Sequence, residues 1–356
     1  SSFISWALET YPEYPNTALV LWNHGAGMRS IAPEGGIVPR EIGDDWEVDP
    51  VLAPDNDSVY PLERTLYLDE IQQALSTSFD GDNRLTVLGM DACLMGTVEV
   101  AYEFRDLTEY LVFSPAVEYG GWYWSKVIAG FSVDTTGEAF VTRVAQLYKE
   151  KAEELLIDSQ GRLNAQTAVT TTGLNELKSS LDSLAVAIHT EYEDSRDVIH
   201  TLRDASLYYW EDDYESIFYP YYELGAVLSS LLKSEEISES VKSAASAVQQ
   251  ALSDVILYAW AGAGIGGYEG ANISYGLSIF LSRGEKDHRR TWNSSESYSH
   301  YAFQWWYTAE TTPHEQYQFY GNIDFADSDG DGVVETWREW MEVWYDPDDE
   351  LTPGTW

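Results

Sequence analysis

The chain is short of cysteine, short of positive charge, and without a long apolar run. Its 356 residues hold one cysteine, Cys93. A single thiol forms no internal disulfide, so cysteine usage leaves the redox compartment open. Lys and Arg total 20 against 60 Asp and Glu, for a formal net charge of -40. Nucleic acid and anionic membranes are bound by positive charge, so neither is expected as a partner. No stretch reaches the roughly 18 consecutive apolar residues of a membrane span. Ser1 to Tyr14 reads as helix followed by loop, so no signal peptide is expected within it. The start at Ser1, without a Met, reads as that of a processed or trimmed product.

What remains is a globular composition, 44% hydrophobic and 14% aromatic. That is enough for one large domain or two smaller ones. An acidic surface attracts cations and basic substrates and suits high salt, where counterions screen self-repulsion. The same surface serves equally as a plain solvated exterior. Asn-X-Ser sequons begin at Asn56, Asn272 and Asn293 and favour an extracellular or cell-surface location.

Hydrophobic periodicity divides the chain. Residues 1–10 have helical spacing, and Ala18 to Trp22 is a continuous apolar run of the kind found in buried parallel strands. Residues 28–64 read as a long loop. Leu66 to Ser76 reads as a helix, Leu85 to Met90 as a second strand, residues 95–104 as a helix, and Tyr110 to Phe113 as a third strand. Strands alternating with helices predict an α/β fold with an open, mostly parallel sheet flanked by helices. The expected organisation is a catalytic core over 1–136 and a mostly helical region over 137–270. A returning strand and helix follow over 271–310, then an acidic tail over 311–356.

His24 and Cys93 occupy equivalent places, each just beyond the C-terminal end of an apolar strand. Open parallel sheets bind ligands there. If the strands are neighbours, imidazole and thiol face one crevice, as a cysteine hydrolase requires. A helix starting just after Cys93 would turn its N–H groups toward the sulfur and favour the thiolate. Backbone N–H groups of Gly25 and Cys93 are candidate oxyanion donors. Asp91, two residues before Cys93, is placed to pair with a cationic side chain, or else caps the following helix. On these residues alone, a structural histidine and a buried inert thiol remain open readings.

Trp22-Asn23-His24-Gly25-Ala26-Gly27 resembles the strand-then-HG-x-G segment of the clostripain-like cysteine peptidases, which group with caspases, legumains and gingipains. Asp91-Ala92-Cys93-Leu94-Met95-Gly96, followed by Glu99, resembles that family's D-A-C-x-M segment. The Phe3-Ile4-x-Trp6-Ala7-Leu8 helix and Tyr275 to Phe280 are similar to further family segments, so the resemblance runs from residue 1 to about 310. It implies a caspase-like fold with His24 as general base and Cys93 as nucleophile. Gly25 and Cys93 would be the oxyanion donors, and Asp91 would select Arg or Lys before the scissile bond. A second S1 acid is expected from the loop after residue 115, where Glu118 is the one acid between Pro115 and Trp122. The family's earlier first strand has no counterpart here, which implies proteolytic maturation, with an N-terminal fragment of the protein's own precursor cut away or left associated. Some family members cut themselves in the loop after the catalytic His, and Arg40 is the candidate site, with Arg29 and Arg64 as other options.

The acidic tail carries Asp327-Ser328-Asp329-Gly330-Asp331-Gly332, the D-x-D-x-D-G spacing of a calcium loop. Its closing position falls on Arg338, so Glu335 and Glu339 join Asp327, Asp329 and Asp331 as expected Ca²⁺ ligands. The remaining histidines have no ligand spacing. The expectation is a cysteine endopeptidase for basic peptides. Its rivals are an inactive, calcium-binding surface or assembly protein of the same fold, and a Cys-His hydrolase of other amides.

Overall fold

A computed structural model describes residues 2–12, 16–22, 25, 41–42, 66–79, 83–155, 160–191, 197–199, 201–203, 205–207, 209, 221–266 and 275–281. Helix α1 (Ser2–Thr10) leads to strand β1 (Ala18–Trp22). Helix α2 (Leu68–Ser78), β2 (Leu85–Asp91), α3 (Val98–Glu103) and β3 (Thr108–Phe113) follow. Then come α4 (Trp124–Gly130), α5 (Gly137–Leu155), β4 (Ala165–Thr170) and α6 (Leu174–Thr190). Helices α7 (Leu224–Lys233) and α8 (Glu239–Val255) precede β5 (Ile256–Ala261).

The five strands form one sheet in chain order, β1-β2-β3-β4-β5. β1, β2 and β3 pair in parallel. β4 is antiparallel to both β3 and β5. Four of the five strands therefore share one direction, and the expected mostly parallel α/β sheet is found.

Alternation along the strands builds two apolar layers. On one face Leu88, Met90, Leu111, Phe113, Val169 and Ile256 pack against α2, α3, α6, α7 and α8. On the other, Val87, Val112, Ala168, Tyr258 and Trp260 pack against α4 and α5. β2 is buried at every position because both its faces are covered. β1 is only half-covered, with Trp22 at its end 71% exposed. Helix α1 buries none of its residues, although Phe3 and Trp6 are large and apolar.

Two strands lie inside the region read as mostly helical. β4 has the sequence Ala-Gln-Thr-Ala-Val-Thr and shows no apolar run, because small residues and buried Gln166 and Thr167 fill its positions. β5 follows α8 without a glycine or proline, so its Ile256 to Ala261 reads as a continuation of the apolar stripe of α8. The helix expected over 95–104 is shorter and starts at Val98. Thr97 is its N-cap, its side chain accepting from the Val100 N–H at 3.1 Å. The helix expected over 66–76 runs from Leu68 to Ser78.

The returning segment closes onto the core, with Leu277 and Ile279 buried in it. Ser278–Phe280 pairs antiparallel with Tyr221–Glu223, and the Ser278 N–H donates to the Gly96 carbonyl at 3.0 Å. Glu223 is fully buried and accepts from the N–H groups of Gly276 at 2.9 Å and Ala226 at 2.7 Å. It joins the start of α7 to this returning segment.

Gly89, in the middle of β2, fixes where the next layer sits. A Cβ at Gly89 would lie 2.6 Å from the Trp122 ring and 3.1 Å from Val20. The missing side chain is what lets the Trp122 ring approach the strand. Gly89→Ala is expected to cost about 1–3 kcal/mol through overpacking, read as a lower denaturation midpoint in urea. An unchanged midpoint would show that Trp122 is free to move aside.

Candidate active site

β1 and β2 are neighbours in parallel register, with Trp22 opposite Asp91. His24 and Cys93 each follow that matched pair by two residues in sequence. His24 lies outside the described residues, as do Arg40 and the calcium-loop residues Asp327, Asp329, Asp331, Glu335 and Glu339. Gly25 is described, and its Cα packs against the Cys93 carbonyl so closely that a side chain there would collide with that oxygen. Glycine is thus required for the β1 exit to approach the β2 exit.

Cys93 sits in a tight turn. Leu94, next in the chain, has φ +61, a left-handed conformation rarely adopted by a branched side chain. The turn is held by the Leu94 N–H to the Ala116 carbonyl at 2.9 Å and by the Gly96 N–H to the Ser114 carbonyl at 2.7 Å. Gly96 has no room for a side chain, since a Cβ would lie 2.5 Å from the Pro115 nitrogen. The segment after β3 is thereby locked beside the turn after β2, and strain at Leu94 is stored where the thiol is displayed.

The sulfur accepts a hydrogen bond from the Glu118 N–H at 3.2 Å. This corrects the expectation that a helix starting just after Cys93 would hold it. α3 begins later, and Thr97 already satisfies a donor of its first turn. Burial, with the charges of Glu118 and Asp91 beyond it, pushes the Cys93 thiol up to about 11. The thiol is therefore protonated at neutral pH, and forming a nucleophile requires a base to take its proton.

Asp91 is almost wholly buried. Both carboxylate oxygens accept from the Trp122 N–H, at 3.0 and 3.1 Å, and one also accepts from the Trp124 indole N–H at 2.9 Å. Burial raises its pKa, while these donors and the nearby Lys151 charge lower it. Glu118 is only partly covered as a residue, but its carboxyl end turns inward. Burial first, then the nearby Asp91 charge, raises its pKa well above the usual range. Glu118 Oε2 is buried without a hydrogen-bond partner. The two sequence-nominated acids thus meet beside the thiol, where burial and their mutual repulsion favour a proton on the pair.

Residues not nominated from the sequence complete the surroundings. The Tyr148 hydroxyl, on α5, donates to Asn164 Oδ1 at 2.7 Å, and Asn164 Oδ1 also accepts from the Tyr119 N–H at 2.8 Å. Lys151, one turn further along α5, donates to the carbonyls of Gly120, Gly121 at 2.7 Å and Trp122 at 3.3 Å. No local motif marks either residue. They are a tyrosine and a lysine on an ordinary amphipathic helix, and only the packing of α5 against β3 and β4 brings them to the loop.

The model of the Clostripain family matches residues 1–337 of this chain. The chain belongs to the clostripain family. Clostripain from Hathewaya histolytica is 27% identical over 387 residues, an alignment that covers 99% of this chain and 69% of that protein. Among solved structures, a secreted C11 cysteine protease from Bacteroides thetaiotaomicron superposes with TM-score 0.50 at 15% identity, covering 78% of this chain and 70% of that one. An inactive zymogen C11 protease from Parabacteroides distasonis gives TM-score 0.48 at 17% identity, covering 86% and 72%. The first of these likenesses supports the fold. As a clostripain-family chain the protein is a cysteine peptidase, a hydrolase of the caspase-like fold. Among the described residues, no helix is long and apolar enough to cross a membrane.

Proposed function

We propose that this clostripain-family peptidase cleaves after Arg or Lys through an acyl-enzyme on Cys93, with His24 as the base. The observation that carries the specificity is the buried, unpartnered Glu118 Oε2 beside Asp91, within reach of the thiol's surroundings. A buried acceptor without a donor is costly, and a guanidinium or ammonium would satisfy it. The protonated state of Cys93 supports a base partner, and the matched exits of β1 and β2 favour His24 for that part. His24 takes the thiol proton, sulfur attacks the scissile carbonyl, and the N–H groups of Gly25 and Cys93 receive the oxyanion. The proton then passes to the leaving amine, and water resolves the thioester. The net charge of -40 steers basic peptides toward the site.

An Arg-directed covalent inhibitor is expected to label the wild type and to leave Cys93→Ala unlabelled, by intact-mass spectrometry. His24→Ala should label at least about a hundredfold more slowly, the scale of a lost general base. Labelling of Cys93→Ala at the wild-type rate would overturn the assignment.

Two further parts of the reading concern maturation and calcium. An N-terminal fragment of the precursor is proposed to lie along β1, a position supported by the exposed Trp22 and the unburied α1. Autocleavage is proposed at Arg40. N-terminal sequencing of the mature enzyme should give a new end at Glu41, and the absence of any end between residues 29 and 65 would count against this. Calcium is proposed to bind Asp327, Asp329, Asp331, Glu335 and Glu339, on the strength of their spacing. Chelator should lower the melting temperature and added Ca²⁺ restore it, whereas superimposable melting curves would remove the ion from the account. The sequons and acidic surface favour an extracellular location, which glycan analysis of native material would test.

A further inference from the structure

The loop from Glu118 to Trp124 faces two ways. Inward, its N–H groups serve the site: Glu118 donates to the Cys93 sulfur, Trp122 donates to Asp91, and the Trp124 indole adds a third donor. Outward, the carbonyls of Gly120, Gly121 and Trp122 all accept from one ammonium, that of Lys151. Gly120 and Gly121 have φ of +82 and +58, and a Cβ at Gly121 would lie 3.3 Å from an Asp91 oxygen. Peptide planes in this conformation have many alternatives, because glycine is free to leave it. A cation on the rigid α5 that holds three successive carbonyls removes those alternatives.

Lys151 is also within electrostatic reach of the acids. Its charge draws Asp91 toward the ionised state, and both Asp91 and Glu118 act back on Lys151. The other titratable groups facing the pair are Cys93 and Tyr148. Among these described groups Lys151 is the cation, and it stands on the far side of the loop from the thiol's donor.

We propose that Lys151 is a positioning residue for substrate selection. By gathering the carbonyls of Gly120, Gly121 and Trp122, it keeps the loop's N–H groups on Cys93 and Asp91, and its charge keeps the Asp91–Glu118 pair receptive to the substrate's cation. When a basic side chain arrives, the pair gives up its shared proton to solvent and takes the cation in its place. Without Lys151 that proton is held more tightly, and the exchange requires a higher pH. This inference rests on the reading that the pair receives a basic side chain.

The test compares wild type, Lys151→Met and Lys151→Arg on matched peptides with Arg or norleucine before the scissile bond, from pH 5 to 9. For Lys151→Met on the Arg peptide, KM should rise about three- to fivefold near neutral pH, the scale of one partly screened charge interaction, with kcat changed less. The acid limb of kcat/KM should move to higher pH, because loss of a positive charge stabilises the protonated acids. Lys151→Arg should restore the wild-type limb, since a guanidinium also donates to several carbonyls. Turnover of the norleucine peptide should keep its pH profile. An equal fall in kcat for both peptides with unmoved limbs would mean that Lys151 only supports the loop, and would overturn the inference. An unaltered Lys151→Met would overturn it too. If wild type itself fails to prefer the Arg peptide, the basic-specificity reading falls, and Lys151 falls with it.

Discussion

Asp91 places a carboxylate at the end of a strand that is otherwise apolar and wholly covered. A charge in that position has lost its water and must be met by donors on the spot. The donors come from one loop, the Trp122 N–H and the Trp124 indole, and bringing them there fixes much else. Trp122 must lie on β2, which Gly89 permits. The loop must fold back over the thiol, which places the Glu118 N–H on the sulfur and the Glu118 carboxyl beside Asp91. Lys151 and the Tyr148–Asn164 pair hold the outer side of the same loop. The site is thus organised around a buried anion and the peptide groups that solvate it.

A partly buried thiol near two carboxyl groups is a poor nucleophile at rest, and the structure keeps it so. Its hydrogen bond comes from a peptide N–H, not from the start of a helix, and its pKa near 11 leaves it protonated. The carboxyls that add to the effect of burial on the thiol are the ones proposed to receive the substrate's cation. A basic side chain entering the pair would neutralise them and lower the cost of the thiolate. In this account substrate recognition and activation of sulfur are electrostatically coupled.

Much of this was legible in the sequence because it depends on continuous apolar runs and short motifs. Ala18 to Trp22 and Leu85 to Met90 read as strands, and the residues beyond them as a site, although β1 proves only half-covered. Asp91 and Glu118 were nominated and do meet. β4 was not legible, because its buried positions are filled by alanine, threonine and glutamine, and the Thr167 hydroxyl donates to the Gly276 carbonyl of the returning segment. β5 was hidden because α8 passes into it without a break. The late start of α3 was signalled by Thr97, a good N-cap, and by Gly96, which has no space for a side chain. Lys151 was beyond sequence reasoning, since its partners are backbone carbonyls about 30 positions away in the chain.

The most direct test of the central claim is the ratio of kcat/KM for Arg over norleucine peptides in Asp91→Asn, set against wild type. Loss of the buried charge should cut that ratio at least about a hundredfold, as expected for removing a charged partner from a buried pair, while the folded structure persists by circular dichroism. A ratio that survives Asp91→Asn in a folded enzyme would contradict the account and place cation recognition elsewhere in the molecule.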